Sequence, residues 1–134
     1  MSREAERRLL QIAVALGCLS PFWFGLRGVL EGPAFLAGVE PGQAAPDLLS
    51  HFRYLSGLFF GIGFVLISCV PRIEARTARF RWACGAIIVG GLSRAFGLTL
   101  GDAPSMAHHV ALAAELGFVP MLLLWQARVA GRFR

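Results

Sequence analysis

Apolar residues along this chain gather in four long runs separated by shorter polar stretches. The runs cover residues 9–30, 49–70, 80–100 and 106–129, and charged side chains are sparse within them. Each is about 20 residues long, enough for an α-helix rising about 1.5 Å per residue to cross roughly 30 Å of hydrocarbon. A helix also satisfies its backbone N–H and C=O groups internally, which a segment in lipid requires. The pattern therefore predicts an all-α protein, an integral membrane four-helix bundle. Runs so closely spaced leave no room for a separate soluble unit, so residues 1–134 read as one domain.

Composition and charge add an orientation. The chain is 56% hydrophobic with 11 Phe, and its mean hydropathy is +0.63. All 13 basic residues are Arg, and ten of them lie at the N-terminus, in or beside the second connection, or at the C-terminus. The other two connections hold Glu31, Glu40, Asp47 and Asp102 instead. By the positive-inside rule both termini are cytoplasmic, and Trp82 and Trp125 fall where an interfacial aromatic belt places them. The net charge of +5 then reports topology and attraction to anionic lipid, not a nucleic-acid partner. The expected location is a bacterial cytoplasmic (inner) membrane, crossed several times. The first run is read as a retained span and not a cleaved secretory signal, because SPFWFG continues it without a polar segment.

The punctuation of the chain predicts where the helices are capped or disturbed. Residues 31–46, rich in Gly, Pro and Ala, form the only long loop. Asp47 and Ser105 are candidate N-caps, and Pro71 helps to end the second helix. Pro21 and Pro120 lie inside helices one and four, where each removes an amide donor and frees a carbonyl one turn earlier, at Gly17 and Leu116. Kinks are expected there. Cys18, Cys69 and Cys84 are odd in number and lack a CxxC spacing, so they read as small apolar packing residues. Neither a metal nor another cofactor is expected.

The one sharp anomaly is Arg94, set deep in the third run in GGLSRAFG. Gly90, Gly91, Gly97 and Gly101 share its helix face, so the arginine is expected to point into the bundle, where small residues let helices approach. Arg53 shares a face with Gly57 and Gly61 in the same way and is also expected to point inward. An inward charge needs a partner, and Glu115 is the one acid inside any predicted helix. At about 1.5 Å per residue the two stand within roughly 5 Å of the same depth, which predicts an Arg94–Glu115 ion pair. His108, His51, Arg53 and Arg27 lie on the same outward side and extend this into a polar cluster.

SHFRYLSGLFFGIG, GGLSRAFGLTLGDAP and ELGFVPMLLLW, together with GLRGVLEGPAFLAG, resemble a bacterial family of small four-helix integral membrane proteins catalogued as a domain of unknown function. The likeness covers nearly the whole chain, and Arg53, Arg94, Gly101, Pro104 and Glu115 are its most specific part. It implies the four-helix fold and no activity. DoxX-like proteins are a more distant analogy at the level of fold alone.

Several functions stay open on these residues. Arg94–Glu115 as a structural clasp, with Arg27 and Arg53 snorkelling to head groups, is the plainest. Three arginines facing one helix-borne acid suggest a cavity with excess positive charge, and hence a site for an anionic lipid or small amphiphile made by Arg27, His51, Arg53, Arg94 and Glu115. A membrane-embedded isomerase or hydrolase would use Glu115 and His108 as the acid–base pair, although no nucleophile motif or metal-binding spacing accompanies them. Adjacent His108 and His109 point about 100° apart on a helix, which suits joint ligation poorly. The glycines also permit a homo-oligomer or an accessory role in a larger membrane complex. Membrane lipids are the expected partners in each case.

The topology is directly testable. Reporter tags at both ends should read cytoplasmic, and Gly38→Cys should label from outside the cell; a periplasmic C-terminus would end the four-span reading.

Overall fold

The computed structural model describes residues 2–36, 38–40 and 42–134. Its helices are α1 (Arg3–Gly17), α2 (Leu19–Glu31), α3 (Pro46–Cys69), α4 (Thr77–Thr99), α5 (Met106–Ala113) and α6 (Val119–Gly131). Short 3₁₀ turns follow α2 at Gly32–Phe35 and α3 at Val70–Arg72, and a π-turn at Ala114–Phe118 joins α5 to α6. Together they make four rods long and apolar enough to cross a membrane, Arg3–Phe35, Pro46–Arg72, Thr77–Thr99 and Met106–Gly131.

The rods are longer than the apolar runs at several ends, because a cap and not hydropathy decides where a helix starts. Ser2 accepts a hydrogen bond from the Ala5 N–H at 3.2 Å and starts α1 six residues before residue 9. Pro46 stands at the first position of α3, where its missing N–H leaves no unsatisfied donor. Ala45 therefore occupies the cap, and Asp47, expected there, sits in the first helical turn instead. Ser105 does hold the cap position of α5, but its hydroxyl bonds the His108 ring and no backbone N–H. Both internal prolines interrupt their rods one turn upstream, at Cys18 between α1 and α2 and at the π-turn before Pro120.

Successive rods run antiparallel, so both termini lie at one end, here the terminal end. There α1 packs on α6, α3 on α4 and α4 on α6, closing a ring of four. The buried apolar core sits in this half, with Leu10, Val14, Cys18, Leu66, Cys69, Ile73, Phe80, Cys84, Leu122 and Val129 in one cluster. Toward the other, distal end the bundle divides into two hairpins. Among the described residues α2 packs only on α1, α3 and the turn that follows it, and α5 only on α4 and the π-turn.

Polar side chains fasten the closed half. Glu6, 2% exposed, accepts from Arg128 at 3.0 Å and also pairs with Arg132. Gln11 donates to the Val70 carbonyl at 2.7 Å, and Gln126, fully buried, donates to the Ile73 carbonyl and the Thr77 hydroxyl, each at 2.9 Å. Both bonded carbonyls lie where the second rod ends and has run out of helical donors. The first hairpin is closed by glycine. A Cβ at Gly25 would lie 2.8 Å from the Phe60 backbone nitrogen, and one at Gly28 would collide with Ser56. The glycines read from the sequence as close-packing sites in α3 do less: Gly57 has only Val29 within 4 Å and Gly61 nothing.

Gly28→Ala should therefore destabilise the protein by about 1–3 kcal/mol through overpacking, whereas Gly61→Ala should be within about 0.5 kcal/mol of wild type. Unfolding titrations in mixed micelles check this, and equal losses at both positions would contradict the packing described.

Candidate functional site

Arg94 lies in the distal half of α4 and Glu115 in the π-turn of the fourth rod. The approach of these rods depends on Gly91, three residues before the arginine. A Cβ there would fall 2.8 Å from Glu115 Cβ and 2.9 Å from Leu116 Cδ2, so only a glycine lets the π-turn come this close. The π-turn follows from Pro120. Proline has no N–H to give the Leu116 carbonyl, and the Val119 N–H reaches five residues back to the Ala114 carbonyl. The extra residue in that turn offsets the helix by about 100° relative to an unbroken α-helix, and it is this offset segment that carries Glu115.

The expected ion pair is present and forked. Arg94 Nε donates to Glu115 Oε2 at 3.1 Å and its Nη2 donates to Oε1, also at 3.1 Å. The side chains are 32% and 15% exposed, so both are largely removed from the surroundings. A planar guanidinium matched to a carboxylate satisfies both groups with one geometry.

Beside the pair is a hollow of about 200 Å³. All four rods contribute to its wall, including Gly17, Pro21, Phe59, Cys84, Glu115 and Phe118. It is partly open and lies where the distal halves of the first and fourth rods part, with Phe118 reaching across to within 3.6 Å of a Cβ built at Gly17. The lining is overwhelmingly apolar; Glu115 is the one carboxylate on it and Ser20 the one hydroxyl.

The other candidate residues do not join this site, and the expectation of one outward polar cluster is corrected. Arg27 is engaged by Glu31 one turn along its own helix, through two bonds of 2.7 Å, and lies over the rings of Phe35 and Trp23 at 5.0 and 5.9 Å. Arg53 is exposed near Gly32 and not directed into the bundle, and it makes no hydrogen bond or ion pair among the described residues. His51 is exposed as well. His108 Nδ1 bonds Ser105 Oγ at 3.2 Å, and His109 Nδ1 bonds the Ser105 carbonyl at 3.2 Å, so both histidines serve the start of α5. Divergence of the hairpins, and an acid within reach of Arg27 on its own helix, separate these groups. The three cysteines are free and buried, and among the described residues no group of His, Cys, Asp and Glu is placed to hold a metal.

Glu6 is the residue that sequence reasoning passed over. Glu115 is not the only acid inside a helix, because α1 begins at Arg3 and takes Glu6 with it. The signal was available: Glu6, Leu10, Val14 and Cys18 recur every four residues, so Glu6 heads the stripe that becomes the core. Gln126 was also overlooked, although it lies at the same spacing from the buried Leu122 and Ala130.

The chain belongs to the family described as domain of unknown function DUF4345, whose model matches residues 9–126. No curated protein and no solved structure matches it. The family resemblance read from the sequence is therefore confirmed, and it carries no activity with it.

Arg94→Ala leaves Glu115 without its cation, and Glu115→Ala strands Arg94. Each single change should cost more stability than the double change does beyond either, giving a coupling of about 1–3 kcal/mol in a double-mutant cycle. Strict additivity would show that the pair contributes nothing as a pair.

Proposed function

We propose that this is a multi-pass protein of the bacterial inner membrane, with both termini cytoplasmic, that holds the apolar part of a small amphiphile in the cleft between its two hairpins. The gathering of ten arginines at one end of the bundle supports the orientation. The observation that carries the binding reading is the hollow beside Arg94–Glu115. Left unfilled, a hollow of about 200 Å³ forfeits the packing contacts its apolar lining would otherwise make, which is an energetic cost. An apolar hollow of roughly 150 Å³ already takes a molecule the size of benzene. In lipid, a chain entering from the side between α2 and α5 removes that cost.

The volume also limits the occupant. It suits the end of a single chain or one ring, not the body of a two-chain phospholipid. Acid–base catalysis by Glu115 and His108 is less favoured, because the carboxylate is held by Arg94 and the imidazole by Ser105. An accessory role is less favoured for a different reason: exposed apolar side chains on every rod are what lipid alone requires.

A photoactivatable decyl probe in nanodiscs should label Val14 and Leu122, which bulk lipid does not reach because both are buried. Ala111→Phe, which projects a ring from the hollow's wall, should abolish that labelling while leaving the melting temperature within a few degrees of wild type. Labelling unaffected by Ala111→Phe, or confined to the outer faces of the rods, would overturn the reading.

A further inference from the structure

We infer that the polar end of this amphiphile is an uncharged hydrogen-bond donor, a hydroxyl, and not an anion. The inference rests on the cleft reading above and adds the chemistry of the head group. The one charged group on the wall, Glu115, is an acceptor. Each Glu115 carboxylate oxygen takes one N–H from Arg94 and keeps further lone-pair capacity. The Gly17 carbonyl faces a proline at the position where its helical donor should be, because Pro21 has no N–H. The Ser20 hydroxyl, also on the wall, accepts as readily as it donates.

Cations are engaged elsewhere. Arg94 is committed to Glu115 through two bonds and Arg27 to Glu31 through two. Arg53 is exposed and does not line the hollow. An anionic head entering the cleft meets Glu115 first. Arg94 does not line the hollow and its charge is already balanced by Glu115, so an anionic head there is set against the Glu115 carboxylate with no free cation on the wall to compensate it, which is unfavourable. A hydroxyl meets no such conflict: it donates to the Glu115 carboxylate and accepts from the Ser20 hydroxyl on the same wall, while its chain fills the apolar hollow. A single-chain alcohol, or another neutral lipid with a free hydroxyl near its chain, has this chemistry.

Competition against the photoactivatable decyl probe in neutral phosphatidylcholine nanodiscs tests this, with decanol, decanoate, decyl phosphate and decane compared at equal membrane mole fraction. Decanol should displace the probe from Val14 and Leu122 at about tenfold lower fraction than decane, the gain of one hydrogen bond to a charged acceptor. Decanoate and decyl phosphate should be no better than decane. Glu115→Gln should shrink the advantage of decanol; because this change also unsettles Arg94, Ser20→Ala is the second variant, and it should shrink the advantage severalfold without touching the ion pair. Decanoate or decyl phosphate competing best, decanol matching decane, or an advantage unmoved by both variants overturns the head-group inference and leaves the cleft standing. Failure of every compound to compete overturns the cleft itself.

Discussion

The rest of the structure depends on Glu6 being held between Arg128 and Arg132. That contact joins the first rod to the last and closes the ring of four at the terminal end. In lipid the hydrophobic effect does not drive one helix toward another, so association rests on packing and on polar contacts of this kind. A carboxylate 2% exposed needs these guanidiniums, because losing both leaves a buried charge without compensation. Gln11 and Gln126 add to the same end by taking up carbonyls around the turn between the second and third rods. The buried apolar cluster lies within this fastened half.

The distal half is governed by backbone chemistry. Pro21 and Pro120 each withhold a donor, the first where α1 gives way to α2 and the second where the fourth rod winds through a π-turn. Both interruptions border the same hollow. Beyond them each hairpin packs on itself, the first through Gly25 and Gly28 and the second through Gly91. The Arg94–Glu115 fork belongs wholly to the second hairpin and holds its two rods together without bridging to the first. A bundle fastened at one end and divided at the other has a lateral opening, and the proposed amphiphile would occupy it.

Legibility differed between the fold and the site. The four spans, the interruptions at both prolines and the partnership of Arg94 with Glu115 were all readable, since each follows from helical period, depth along a straight rod, or the missing proline N–H. The exposed position of Arg53 was not. A face that carries small residues allows close packing without requiring it, and in α3 the close approach is made at Phe60 and Ser56, not at Gly57 or Gly61. The shared polar cluster failed for a related reason: Arg27 found Glu31 four residues away, a contact available before any tertiary structure forms.

The sequence by itself determined the all-helical class, the number of rods long and apolar enough to cross a membrane and the places where the backbone ladder breaks, because hydropathy, chain length and proline chemistry act locally. It also determined that Arg94 must be paired, since an isolated charge at that depth is too costly. Only the tertiary structure decided that the core occupies one half of the bundle, that Glu6 is held there by Arg128 and Arg132, and that an apolar hollow opens beside Glu115. Those outcomes depend on which rods touch at each level, and that is set by steric fit at Gly25, Gly28 and Gly91, a relation between distant residues that no one-dimensional pattern encodes.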